Sequence, residues 1–484
     1  MGSGAVFFDY DEDGLIDLYF VNSDGPAALY RNEGNGTFRD RAEVSGVSDS
    51  GFGLGCAAAD YDGDGAIDLY VTGNGPNILY RGGETGGFSA VTEAAGVTAP
   101  GLSTGAAFGD HDRDGDLDLY VATYVEYDSA GDFPECFQAR YRVYCGPQMY
   151  QPGADLFFRN DGDGTFTDAT GEVGLLPKAA KELGAFFSDY DDDGDLDLYV
   201  AGDRTPNLLY RNDNGRFAEV GILAGAAYND AGKPLAGMGV TSGDYDNDGR
   251  FDLFVTNYQR ETNSLYHNLG SGFFADVTFQ QGLGVPSLGF MGWGTMFLDY
   301  DNDGDRDLFV ANGHLDPNIS LFDDVDYPQQ NQLFRHDGAD RFSDVSDESG
   351  PGMKPAHVSR GAARGDYDND GDLDIAVANN GEPANLLRND GGNRGNWLQL
   401  HLKGGGANSS AIGAKVTVKS GSLVQVDEVR SGSSYLCQND SRLFFGLGDR
   451  ELVDRVEIRW PLGRKQTLTG LGANQILAVE EPAD

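Results

Sequence analysis

Short apolar runs alternate along this chain with dense acidic turns. Segments such as Gly105-Ala106-Ala107-Phe108 and Asp118-Leu119-Tyr120-Val121-Ala122 are rich in aromatic and β-branched residues and bounded by Gly and Asp. That pattern predicts strands separated by tight turns, and regular helix signals are scarce. Between the first and second strand of each unit stands one phrase, Asp-x-Asp-x-Asp-Gly-x-x-Asp. It begins at Asp9, Asp60, Asp110, Asp189, Asp244, Asp299 and Asp366, with spacings of 51, 50, 79, 55, 55 and 67 residues. A third strand follows with a shared signature, as in Asn207-Leu208-Leu209-Tyr210-Arg211-Asn212, and then a fourth beginning near Phe38, Phe88, Phe166, Phe217, Phe274 and Phe342. Four antiparallel strands with a period near 50 predict the blades of a propeller. The expectation is an all-β chain with a seven-bladed β-propeller over residues 1–395. The strand-embedded Phe108, Phe186, Phe187, Tyr199, Phe254 and Phe297 are expected to pack between blades.

The repeated loop has metal-binding chemistry. Carboxylates at positions 1, 3, 5 and 9 can converge on one point, and glycine at position 6 permits the turn that aims the position-7 carbonyl there. The expected ligands are Asp9, Asp11, Asp13, Leu15 and Asp17 in the first loop, and Asp60, Asp62, Asp64, Ala66 and Asp68 in the second. The third supplies Asp110, Asp112, Asp114, Asp116 and Asp118; the fourth, Asp189, Asp191, Asp193, Asp195 and Asp197. The fifth supplies Asp244, Asp246, Asp248, Arg250 and Asp252; the sixth, Asp299, Asp301, Asp303, Asp305 and Asp307. The seventh supplies Asp366, Asp368, Asp370, Asp372 and Asp374. Leu15, Ala66 and Arg250 can offer only their backbone carbonyls. Hard oxygen donors in this number suit Ca²⁺, up to seven ions, better than Mg²⁺ or a transition metal. An EF-hand is excluded, because its position-12 Glu is replaced by Phe20, Val71, Val121, Val200, Val255, Val310 and Val377.

Charge sharpens the point. Seventy-eight acidic residues face 34 basic ones, a net charge of −44. Seven Ca²⁺ would leave about −30. A surface this acidic argues against nucleic acid and anionic lipid as partners, and no apolar run is long enough to insert in a membrane. Cys136 and Cys145 share one insertion and could form a local disulfide, whereas Cys56 and Cys437 are expected to be separate buried thiols.

Seven loops but six Phe-containing fourth strands leave the last blade incomplete. Either the chain is truncated at its N-terminus, or Trp397–Leu402 fills the place, or the open edge associates with another chain. Two insertions, 124–153 and 311–331, interrupt the repeats and are the expected binding surfaces. From about Asn396 the repeat gives way to alternating strands such as Lys415-Val416-Thr417-Val418-Lys419, which predict a β-sandwich or barrel over 396–484.

The loops with their Asn-x-Leu-Tyr-Arg-Asn strands resemble FG-GAP/VCBS repeats, the type also found in integrin α-subunit propellers. Ala411-Ile412-Gly413-Ala414-Lys415-Val416, Val429–Leu436, Gln438-Asn439-Asp440, Phe445–Gly448 and Arg459-Trp460-Pro461 resemble an ASPIC/UnbV domain. The resemblance implies a calcium-loaded propeller, secreted or at the cell surface, and an upstream Phe-x-Asp-Val-Thr strand that is absent here. The leading expectation is an extracellular binding or adhesion module for a protein or carbohydrate ligand, rather than an enzyme. The rival is a propeller enzyme of cyclisation or alkylation type, using His314, Asp316 and Tyr327 with Tyr141, Arg142 and Tyr144. A third reading is a self-assembling extracellular fibre subunit.

Overall fold

The computed structural model describes residues 2–49, 51–83, 85–127, 134–338 and 341–483. Residues 128–133 of the first insertion therefore lie outside the described residues. The protein is all-β: among the described residues, six four-stranded antiparallel sheets, one of three strands and two small two-stranded ribbons lie between Ala5 and Leu387. In the six four-stranded sheets and the three-stranded one, an acidic loop joins the first two strands in one register. Position 9 pairs with the residue just before position 1: Phe8 with Asp17, Ala59 with Asp68, Ser188 with Asp197, Gly365 with Asp374. Fixed register matters because a one-residue slip would turn every side chain to the wrong face.

The first strands pack side by side, backbone against backbone. A Cβ on Gly55, Gly105, Gly184, Gly239 or Gly294 would lie 2.0–2.8 Å from a carbonyl oxygen of the next sheet. On Gly361, in the seventh sheet, it would lie 2.6 Å from Ser3 O, at the start of the first. Only glycine permits that approach. Farther out, the position-2 ring of one loop packs on the fourth-strand Phe of the following sheet. The centroid distances are 5.4 Å for Tyr61–Phe166, 5.6 Å for Tyr190–Phe274 and 5.4 Å for Tyr367–Phe38. The expected aromatics Phe108, Phe186, Phe187, Tyr199, Phe254 and Phe297 are all buried.

The seventh sheet, Ser359–Gly365, Asp374–Asn379 and Asn385–Leu387, has no fourth strand among the described residues. One expectation is corrected here. The segment containing Trp397–Leu402 does not complete that sheet. Asn396–Lys403 instead pairs antiparallel with Leu443–Gly448 and parallel with Gln475–Glu480. Leu398, Leu400 and Leu402 belong to an apolar core they share with Val416, Val456 and Trp460, and Trp397 stacks on Phe444 at 5.9 Å. A second C-terminal sheet holds Leu423–Glu428, Lys415–Ser420, Leu452–Arg459 and Lys465–Gly472.

Between the two C-terminal sheets the chain leaves as an irregular segment, 429–442, that touches all seven inner strands. Ser434 exchanges backbone hydrogen bonds with Val240, and its Oγ accepts from Thr295 N at 2.9 Å. The backbone oxygen of Ser434 would lie 2.8 Å from a Cβ on Gly184, and Gly432 lies against Ala106 O. Cys56 N donates to Leu436 O, and the Gln438 side chain exchanges two hydrogen bonds with the Ala58 backbone. Cys437 Sγ accepts from Ala5 N, and Asn439 Oδ1 accepts from Arg364 N. Tyr435 and Leu436 sit in a core with Leu54, Leu102, Leu183, Met238 and Trp293, drawn from five sheets. Cys56 and Cys437 are free and buried, and Cys136 and Cys145 are bridged.

This axial packing makes Leu436, 2 % exposed, a sensitive position. Leu436→Ala is expected to cost about 2–5 kcal/mol, read as a lower urea midpoint. A change within about 0.5 kcal/mol would show that the segment rests on the sheets without supporting them.

Candidate metal loops and the insertion face

The second loop shows how the turn is built. Asp60 accepts from Asp64 N (3.2 Å) and Gly65 N (3.0 Å), while Asp64 accepts from Ala66 N (3.0 Å). Asp68, opening the second strand, accepts from Tyr61 N at 2.9 Å and from Gly82 N, just past the third strand, at 2.8 Å. Position 6 is a glycine with φ near +95° here, and position 4 is left-handed in every loop, at Gly63 and at Glu12, Arg113, Asp192, Asn247, Asn302 and Asn369. The same position-1 and position-9 bonds recur in the other loops.

These turns gather carboxylates. One oxygen each of Asp9, Asp11 and Asp13 lie within 4.8 Å of one another, as do those of Asp60, Asp62 and Asp68, and of Asp110, Asp112 and Asp114. Several such clusters could hold a metal ion. An independent feature fits a cation. At position 3 of four loops, the Oδ1 atoms of Asp11, Asp62, Asp191 and Asp301 are buried without a hydrogen-bond partner. A buried carboxylate oxygen without a donor is costly, and a cation at the centre of the turn would satisfy it.

Burial first, and neighbouring carboxylates after it, push these acids up. Asp110 and Asp366 at position 1 rise to about 7 and Asp244 to about 8; Asp17 and Asp68 at position 9 rise to about 8 and Asp374 to about 9. Asp252 rises only to about 6, because His267 bonds to it.

Two features of the loops were not foreseen. The third-strand Asn staples neighbouring loops together. Asn212 Nδ2 donates to Leu196 O (3.0 Å) in its own loop and to His111 O (2.7 Å) in the preceding one. Asn160, Asn268 and Asn32 repeat this, the last reaching Tyr367 O in the seventh loop at 2.7 Å. In three repeats a basic residue near the end of the third strand faces the acids of its own loop, whereas Arg211, Arg335 and Arg388 pair instead with Asp213, Asp337 and Asp390 in the turn that follows. Arg31 pairs with Asp11 (2.6 Å) and Asp13 (2.5 Å), and Arg81 with Asp62 and Asp64. In the fifth repeat His267 takes the place, 3.0 Å from Asp252. The recurrent Tyr-Arg-Asn at the end of the third strand was the available signal. In the same repeat Arg250 turns back to pair with Asp248.

The two insertions meet. Tyr144 N donates to Asp316 Oδ1 at 2.9 Å, Asn318 Nδ2 donates to Arg142 O at 2.9 Å, and the Tyr141 and Phe322 rings stack at 5.9 Å. His314 is fully buried, and its Nδ1 accepts from Asp316 N at 2.9 Å, so it braces its own loop. Burial lowers its pKa. Tyr327 O accepts from His314 N, and its hydroxyl accepts from Asn380. Phe137, Tyr144, Met149 and Leu321 are all more than half exposed at 57, 63, 54 and 57 %.

The fold and the turns define a class: an all-β repeat protein whose Asp-rich turns share one register and could hold metal ions. The chain belongs to the FG-GAP-like repeat family, matched over residues 9–71, 60–121, 189–255, 244–310 and 299–377, and carries an ASPIC and UnbV region over 404–484. It is 26 % identical over 343 residues to mouse cartilage acidic protein 1, covering 59 % of this chain and 52 % of that protein. It is 27 % identical over 304 residues to the human protein, covering 60 % and 42 %. The chain thus spans about half the length of these curated relatives. A lectin from Agrocybe aegerita is similar at 16 % identity over 71 % of this chain and 79 % of its own, with a TM-score of 0.42.

The raised acids fix a pH dependence. Without metal, they hold protons more tightly folded than unfolded, so their contribution to stability is complete below about pH 4 and is lost as pH rises through 7 to 9. Chelator-treated protein is expected to melt higher at pH 5 than at pH 8. With saturating divalent cation the order should reverse, because protons compete with the metal. The same order in both conditions would contradict a cation role for these loops.

Proposed function

We propose that this protein is a calcium-stabilised binding module: a closed seven-bladed β-propeller (1–395) joined to a β-sandwich (396–484) and working outside the cell. The observation behind this reading is the sevenfold loop, with its convergent carboxylates and four unpartnered position-3 oxygens. All 35 expected residues act in it as structural ligands, Ca²⁺ supplying charge neutralisation and fixing the turn. Continuity of the inner-strand glycines from the second sheet through the seventh to the first supports closure.

Ligand recognition in this reading falls to the two insertions. The axis is filled by 429–442, and the acidic turns are committed to metal. What stands exposed on them are the aromatic and apolar side chains of Phe137, Tyr144, Met149 and Leu321, the first insertion being braced by the Cys136–Cys145 bridge. Aromatic side chains of this kind suit a protein or carbohydrate partner. A screen over immobilised glycans and extracellular-matrix proteins should yield a ligand whose retention falls at least tenfold in the Phe137→Ser/Tyr144→Ser double variant, with melting unchanged. Retention that survives the double change would move the site elsewhere.

Self-association is a second reading, favoured by the edge strand Asn385–Leu387 of the three-stranded sheet. Unpaired edges recruit strands. Light scattering that grows with protein concentration would support it, and a constant monomer mass at every calcium level would dismiss it.

A further inference from the structure

Where segment 429–442 enters the circle of sheets, three guanidiniums crowd one small cavity. Arg306 and Arg364 come from the sixth and seventh repeats and Arg430 from the C-terminal segment. All three are largely buried, with side chains 4, 11 and 12 % exposed. They converge on Asp427, at 3.0 Å from Arg306, 3.1 Å from Arg430 and 3.9 Å from Arg364. The other carboxylates of the lining are engaged. Glu428 holds Arg430 Nε at 3.2 Å and accepts from Ser188 Oγ and Asp189 N. Asp440 is held by Arg442 at 2.7 Å.

Four buried polar atoms of the lining are left without a partner: Arg364 Nε and Nη1, Arg430 Nη2 and Ser242 Oγ. Three of these can only donate. Buried guanidinium N–H groups without acceptors are expensive, and a compact anion would satisfy several at once. The cavity measures about 40 Å³, against roughly 10–15 Å³ on the same measure for one water. That is room for a monatomic ion and too little for sulfate with its hydration.

We propose that this cavity is a binding site for a small monovalent anion, chloride in ordinary media. Arg364, Arg430 and Ser242 contact the ion, and Arg306 adds positive potential behind Asp427. Because Arg364 and Ser242 belong to the sheets and Arg430 to the axial segment, the ion clamps the two together. It is separate from the acidic turns, which take the opposite charge.

Bromide is the probe. Crystals of the full chain grown with calcium and soaked in sodium bromide should give an anomalous bromine peak within contact distance of Arg364 and Arg430. Density there with no anomalous signal would be water and would overturn the proposal. In solution, at fixed calcium and fixed ionic strength, exchanging gluconate for chloride should raise the melting midpoint along a saturating curve. Arg364→Gln should abolish that rise, and a rise that persists in the variant would also overturn the assignment. Should the variant fail to fold, the bromine peak in the unaltered chain decides alone.

Discussion

Packing several carboxylates around a single turn is the constraint on which this molecule depends. Two unit charges 4 Å apart repel by about 4 kcal/mol where the effective dielectric is near 20. Three such acids per loop therefore amount to on the order of 10 kcal/mol of repulsion, comparable to the whole stability of an ordinary domain, roughly 5–15 kcal/mol. Seven ionised, uncompensated loops would exceed that net stability several times over. The acids must take up protons or bind cations. Their raised pKa values express the first outcome, and the unpartnered position-3 oxygens point to the second.

The loops are also where the sheets are fastened. Position 9 opens the second strand of each sheet and receives the third strand through a backbone N–H, while the third-strand Asn reaches back to the preceding loop. The position-2 ring packs forward on the next sheet. A turn that loses its shape loosens three sheets. On the axis the glycines let the inner strands approach until backbones touch, and segment 429–442 fills what space remains. The C-terminal region is thus built into the circle rather than appended to it. It touches the loops as well: Ser409 donates to Asp60, Arg459 pairs with Asp189, and Arg442 donates to Asp366 O.

Much of this was legible in the sequence because it repeats. Seven copies of one acidic phrase marked the loops, and the apolar runs beside them marked the strands. Six fourth strands fell where a Phe followed a glycine-rich turn. What escaped had no periodic signal, or had one that pattern alone could not interpret. The Tyr-Arg-Asn ending was visible, but the partner carbonyl of its Asn lies in another repeat, 101 residues away for Asn212. The inner-strand glycines read as weak points within strands until the neighbouring backbone is in view. Trp397–Leu402 had the alternation of a blade strand, and only its pairing with Leu443–Gly448 and Gln475–Glu480 shows which sheet it completes. The two insertions were recognised as separate interruptions; their contact through Tyr144 and Asp316 depends on the circular arrangement.

The most direct test of the central claim is a count of bound calcium together with its effect on unfolding. Protein desalted from calcium buffer would be analysed for metal, then melted with Ca²⁺, with Mg²⁺ and with chelator. Several calcium ions per chain, up to seven, are expected, with a large calcium-specific rise in midpoint and loss of about one ion when Asp110 is changed to Asn. Metal-free protein that melts at the same temperature in all three conditions would contradict the claim, and the acidic turns would then be turns alone.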